Sequence, residues 1–143
     1  MLVINILDVK GSDVCTVQAG QKINETALTL RQRKIGAVVV VGPAQEVIGV
    51  ISERDLVRAV ADGGASALDH PVRDYMTTEV ATCAKSDHVD QVMEKMTNGR
   101  FRHMPVIENG QLCGIISIGD VVKIRIEETE REARELREYI ATG

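Results

Sequence analysis

Gly49-Val-Ile-Ser-Glu-Arg-Asp-Leu-Val57 and Gly114-Ile-Ile-Ser-Ile-Gly-Asp-Val-Val122 are two versions of one phrase, and their alignment decides the fold. Five of the nine positions are identical and two more exchange aliphatic residues, at an offset of 65. Upstream the match continues at offset 66. Val14-Cys-Thr16 lies over Val80-Ala-Thr82, Ile23 over Val89, and Lys34-Ile-Gly-Ala-Val-Val-Val-Val41 over Arg100-Phe-Arg-His-Met-Pro-Val-Ile107. The one-residue difference in offset falls between Gly42-Pro-Ala-Gln45 and Glu108-Asn-Gly110, a turn composition where a hairpin tolerates a deletion. A self-similar period of this length marks a repeat architecture.

Each copy has the same element order. A short strand carries Thr16 or Thr82. An amphipathic helix follows, with Ile23, Ala27 and Leu30 at helical spacing in one copy and Val89, Val92, Met93 and Met96 in the other. Ser86 is placed to cap the second of these helices. Two aliphatic strands come next, Ala37 to Val41 and Val47 to Ile51, matched by His103 to Ile107 and Leu112 to Ile116. A second helix opens at Ser52 or Ser117. The expected fold class is α/β (α+β): two β-α-β-β-α repeats related by a pseudo-two-fold axis, plus a C-terminal helix. A unit of about sixty residues cannot easily hide its sheet alone, but two stacked copies can. Clefts form where the copies meet. The divisions expected along the chain are repeat 1 with its lead-in over residues 1–62, a linker at 63–71, repeat 2 over 72–126 and a helical extension at 127–143.

Composition narrows the function. The 143 residues include only three aromatics, Phe101, Tyr75 and Tyr139, and no Trp. The core must be aliphatic, and base stacking as single-stranded nucleic-acid binders use it is not on offer. The net charge of −4 argues against a general polyanion binder, so no nucleic-acid partner is expected. No stretch is long and apolar enough to span a bilayer, and the N-terminus lacks the basic region of a signal peptide, so no membrane partner is expected either. Cys15, Cys83 and Cys113 are widely spaced and form no CxxC pair. They read as reduced thiols of a cytoplasmic protein, with no metal site. No P-loop, GxSxG or HExxH motif is present, and the three His residues are not spaced as a metal or triad set. The chain does not read as an enzyme.

Ser52-x-x-Asp55 and Ser117-x-x-Asp120 each sit where an apolar strand turns into a helix. On the residues alone two readings stand. One is a capping box, Ser at the N-cap and Asp three residues on. The other is a binding element. Helix N-terminal amides and a Ser hydroxyl suit a phosphate, and a carboxylate one turn along suits the paired hydroxyls of a ribose.

With these motifs, the Arg102-His-Met-Pro-Val106 strand and the Val72-x-x-x-Met76 approach to the second copy, the chain resembles a tandem pair of CBS domains, the cystathionine-β-synthase regulatory (Bateman) module. The resemblance runs from Val3 to about Val122. It implies a non-catalytic regulatory module whose inter-repeat clefts bind an adenosine ligand such as AMP, ADP, ATP, NAD(H) or S-adenosylmethionine and which signals in trans to a partner protein. Residue by residue, it implies that Asp55 and Asp120 hold ribose hydroxyls, that Ser52 and Ser117 approach phosphates, and that Thr16 and Thr82 line the adenine side. Arg54, Arg102 and His103 are candidate phosphate partners, since cationic donors strengthen such hydrogen bonds. Arg100 reads as a solvated charge at a helix end, Met93 and Met96 as core, and His70 and His88 as surface. Arg54 precedes Asp55 where Gly119 precedes Asp120, so the two clefts should differ. With so few rings, adenine should meet aliphatic walls and backbone. The competing reading is a protein-interaction or dimerisation subunit whose clefts hold nothing.

From Val121 to Ala141 the chain is strongly helix-forming. Val122, Ile126, Thr129, Ala133, Leu136 and Ile140 step by four and three, a seam of under three heptads. It reads as a dimer contact, the expectation being a homodimer. The alternative is a helix closing the chain's own core.

Overall fold

The computed structural model describes residues 1–142; Gly143, the last residue of the expected helical extension, lies outside the described residues. The first repeat holds β1 (Thr16–Gln18), α2 (Ile23–Arg33), β2 (Ala37–Val41), β3 (Val47–Ser52) and α3 (Glu53–Gly63), preceded by α1 (Val3–Lys10). Two 3₁₀ turns, Gly64–Asp69 and Val72–Asp74, lead into α4 (Val89–Gly99), β4 (His103–Glu108), β5 (Gln111–Ser117) and α5 (Ile118–Thr142). β1 runs parallel to β2 and β2 antiparallel to β3, giving a three-stranded sheet. β4 and β5 make a two-stranded antiparallel sheet, and both hairpins carry their register irregularity at the equivalent place, Val40/Val41 and Val106/Ile107.

The second repeat lacks its first strand, contrary to the expectation that Thr82 lies on one. Only an isolated parallel bridge joins Cys83 to Val106. The reason is Pro105. In the first repeat, the N–H of Val39 donates to the Cys15 carbonyl at 3.2 Å and holds the approach to β1. The residue aligned with Val39 is Pro105, which has no N–H to give. Cys83 still donates to the Pro105 carbonyl at 3.0 Å and accepts from Ile107 at 2.8 Å, but the ladder goes no further. Two local expectations also shift. Thr26 rather than Ala27 is fully buried on α2, its hydroxyl donating to the Lys22 carbonyl at 3.2 Å. α4 starts after His88, whose N–H donates to Gln91 Oε1, while Asp87 caps the preceding turn through Ala84 N–H; Ser86 is not the cap.

Each lead-in segment packs into the other repeat. Val3, Ile6 and Leu7 of α1 share a cluster with Val89, Val92, Met96, Met104, Val106 and Ile116. Val72, Tyr75 and Met76 join Ile23, Leu30, Val38, Val40 and Ile51. Backbone hydrogen bonds repeat the exchange: Val89 N–H to Met1 O at 3.0 Å and Val3 N–H to Asp87 O at 2.9 Å are mirrored by Ile23 N–H to His70 O at 2.9 Å and Val72 N–H to Gln21 O at 2.8 Å. This reciprocity is the pseudo-two-fold axis in bonds. It also explains the glycine that opens each repeated phrase. A Cβ on Gly49 would lie 2.6 Å from Met76 Sδ, and one on Gly114 would lie 2.7 Å from Leu7 Cδ2. The strand backbone must be bare there so that the lead-in side chain can cross it.

α5 is one continuous helix. Val121 is buried at its start and Ile118 and Ile124 pack on the cluster that holds Val3, Val89 and Met104, but every residue from 129 to 142 is exposed. Among the described residues no helix is long and apolar enough to cross a membrane.

Candidate functional site

Both Ser-x-x-Asp elements are capping boxes. Ser52 N–H donates to Asp55 Oδ2 at 2.8 Å and Asp55 N–H to Ser52 Oγ at 3.4 Å. Ser117 N–H donates to Asp120 Oδ2 at 2.9 Å and Asp120 N–H to Ser117 Oγ at 3.3 Å. The adjoining amide is tied back in each copy: Glu53 N–H reaches Gly36 O at 3.0 Å and Ile118 N–H reaches Arg102 O at 2.8 Å. The strand-to-helix corner is therefore rigid, and the aspartate sits in a fixed place on it.

What each aspartate meets beyond its own helix differs. Asp55 is buried; its Oδ1 accepts from the Arg58 guanidinium one turn along and from Thr77 Oγ1 at 3.4 Å, on the lead-in to the other repeat. Asp120 is half-buried and takes the Lys10 ammonium on Oδ2 at 2.7 Å, and Lys10 also donates to Ile115 O at 2.9 Å. Burial alone would raise the Asp120 carboxyl, but the hydrogen bonds from Lys10 and from the Ser117 backbone outweigh it and hold the group below the usual carboxylate range. The end of α1 thus supplies a cation to the second aspartate, while the first takes its cation from its own helix and lies in the lining of a cleft.

That space is a cleft of about 630 Å³ between the repeats, within the size range of small-molecule sites. β3 and the start of α3 form one wall, with Ser52, Glu53, Arg54, Asp55 and Arg58; residues 77–81 and the α4–β4 turn from Gly99 to His103 form the other. Ser52, Arg54, Asp55, Arg102 and His103 come together in its lining. Ser117, Asp120, Thr16 and Thr82 are not part of its lining, and both threonines are exposed. Three contributors escaped the sequence reading. Thr77 stands where the lead-in bonds to β3, exchanging N–H···O bonds with Val50 at 3.0 and 2.9 Å. Arg58 follows Asp55 by three residues, a helical neighbour that spacing could have flagged. Phe101, the only phenylalanine, lies in the cleft wall against Gly99.

The cleft lining is of two chemical kinds. Val50, Val80, Ala81, Phe101 and Ile118 are apolar. Arg54, Arg58, Arg100 and Arg102 gather four guanidinium groups on a chain of net charge −4. Arg54 crosses between repeats and donates to the Arg100 carbonyl at 3.3 Å. Arg100 is an exposed charge at the end of α4, as expected, and its carbonyl is the acceptor for Arg54. It holds a left-handed φ of 57° at the end of α4, as Lys34 does at 55° at the end of α2. Glycine would fill that conformation without steric strain, but the basic residue puts a cation at the cleft. His103 lies across the repeat boundary: its Nε2 is 3.1 Å from where a Gly36 Cβ would stand. Burial first, then the nearby Lys10 charge, push its imidazolium below the ordinary histidine range, against the opposite pull of Glu53 and Asp120. Among the described residues no three His, Cys, Asp or Glu side chains cluster as metal ligands.

Comparison with known proteins agrees with this geometry. The family model described as "CBS domain" matches twice, over residues 7–62 and 72–127. The chain is 35% identical over 125 residues to the CBS domain-containing protein CBSX3, mitochondrial, of Arabidopsis thaliana, an alignment covering 85% of this chain and 61% of that protein. The solved CBS-domain containing protein ATU1752 of Agrobacterium tumefaciens is 54% identical, with a TM-score of 0.85 over 87% of this chain and 99% of the other. The CBS domain protein PAE2072 of Pyrobaculum aerophilum, solved complexed with AMP, is 28% identical, with a TM-score of 0.75 over 84% and 89%. Two family matches, reciprocal lead-ins and a capped Ser-x-x-Asp corner in each half lead to one assignment: the chain belongs to the CBS-domain family and folds as a tandem CBS pair.

Proposed function

We propose that the Asp55 cleft binds an adenosine nucleotide carrying phosphate, and that the chain is a non-catalytic regulatory module acting on a partner protein in trans. The observation that carries this reading is the pairing, in one 630 Å³ cleft, of a buried carboxylate with four arginines drawn from both repeats. A carboxylate fixed by its own helix cap suits the two hydroxyls of a ribose. Arginines drawn from both walls suit phosphate through charge-assisted bonds, and they disfavour a sulfonium such as S-adenosylmethionine. AMP in the PAE2072 structure supports the same class of ligand. AMP, ADP, ATP and NAD(H) all meet these requirements. A ligand bridging the two walls would favour one angle between the repeats, and a partner could respond to that change. Three free cysteines fit a reducing compartment such as the cytoplasm.

The second reading, a cleft that holds no ligand, is favoured for the Asp120 side by a specific observation: Asp120 is bound by Lys10 and is not part of the cleft lining. Thermal unfolding with each nucleotide separates the readings. We expect AMP, ADP, ATP or NAD(H) to raise Tm and S-adenosylmethionine to leave it unchanged, with the shift lost in Asp55→Ala. No shift with any phosphorylated ligand contradicts the proposal.

A further inference from the structure

We propose that Arg58 makes the cleft selective for a nucleotide over its nucleoside: it leaves the Asp55 carboxylate only when a phosphate takes its place as the anion. This rests on the nucleotide reading and deepens it. A carboxylate offers about four acceptor places, and those of Asp55 are taken. Its Oδ2 accepts from Ser52 N–H at 2.8 Å and from Ser52 Oγ at 3.0 Å. Its Oδ1 accepts from the Arg58 guanidinium and from Thr77 Oγ1 at 3.4 Å. A ribose hydroxyl that binds this carboxylate has to displace one of these donors. Ser52 is fixed by the helix cap, and Thr77 by its backbone exchange with Val50 at 3.0 and 2.9 Å. Arg58 is the one that can swing away. Its side chain is 57% exposed and makes no other hydrogen bond or ion pair among the described residues.

Displacing Arg58 has an electrostatic cost. Asp55 is 4% exposed, and a buried carboxylate that loses its cation is strongly disfavoured. A nucleoside brings hydroxyls but no charge, so nothing compensates the separated pair. A nucleotide brings a phosphate to a lining that Arg58 shares with Arg54, Arg100 and Arg102. The guanidinium then passes from one anion to another, and its charge-assisted hydrogen bonds are kept. Ribose binding and phosphate binding are thereby coupled, each being stronger when the other is made. The second repeat is built differently. The residue aligned with Arg58 is the exposed Lys123, and Asp120 is held instead by Lys10, which is also tied to Ile115 O at 2.9 Å. Asp120 has an anchored cation where Asp55 has a releasable one.

Calorimetric titration of the full chain with adenosine and with AMP tests this. We expect Arg58→Gln to bind adenosine roughly tenfold more tightly than the wild type and AMP roughly tenfold more weakly, the scale of one charge-assisted hydrogen bond. The opposite signs are the signature. An arginine that only contacted phosphate would leave adenosine unchanged, and one that only stabilised the fold would lower Tm without moving the ratio of the two affinities. Arg54→Gln, whose guanidinium donates to Arg100 O rather than to Asp55, should weaken AMP alone. The wild type supplies a second measurement that needs no variant. Removing the 2′-hydroxyl should weaken AMP roughly tenfold and adenosine far less, since the phosphate is what opens Asp55. Adenosine binding unimproved in Arg58→Gln overturns the inference, as does a 2′-hydroxyl that contributes equally with and without phosphate; with AMP still bound, the nucleotide reading then stands. Failure of AMP to bind the wild type overturns both.

Discussion

His103 is the residue on which the electrostatics of the cleft turn. Its imidazolium is disfavoured, by burial first and by the Lys10 charge second. Because the folded protein takes up this proton less readily than the unfolded chain, stability is retained above the ordinary histidine range and falls as pH drops below about 6.5. His103→Gln should flatten that decline in a series of thermal melts from pH 7.5 to pH 5. A bound phosphate beside the ring reverses the preference, so nucleotide should stabilise the wild type more at the acid end. A melting profile identical in wild type and His103→Gln would show that the ring does not titrate in this range.

Elements are placed by the same contacts that shape the cleft. Gly49 has no left-handed backbone to explain it; space alone requires it, since its Cβ would meet Met76 Sδ at 2.6 Å and the Thr77 carbonyl at 3.1 Å. Gly49→Ala should therefore lower unfolding stability by about 1–3 kcal/mol in denaturant melts. Adding Met76→Ala should recover only part of it, because the Thr77 backbone still stands in the way. Full recovery would mean that Thr77, and with it one wall of the cleft, does not depend on this contact. The repeat, the strands of both hairpins and the helix faces were legible in the sequence because the repeated phrase and the aliphatic periods are local signals. The missing strand at Thr82 depended on what Pro105 withholds from a neighbour 24 residues upstream at Ala81. The exchange of lead-ins was equally hidden, because Leu7 over Gly114 and Met76 over Gly49 are contacts made only in the folded chain.

At the scale of the whole molecule, two nearly equal halves yield unequal sites. The same capping geometry holds both aspartates, yet Lys10 at the end of α1 binds Asp120, while the lead-in to the second repeat leaves Asp55 facing a cleft. Five of the nine residues singled out in the sequence line that cleft, because strand-to-helix corners and the start of β4 are fixed by local pattern. Thr77 and Phe101 joined them only through the packing of one repeat on the other, whereas Arg58 follows from its helical spacing to Asp55. A calorimetric titration with AMP gives the most direct test of the nucleotide assignment. We expect one AMP per chain, binding lost in Asp55→Asn and kept in Asp120→Asn. Absence of binding in the wild type, or binding lost in Asp120→Asn and kept in Asp55→Asn, would contradict it.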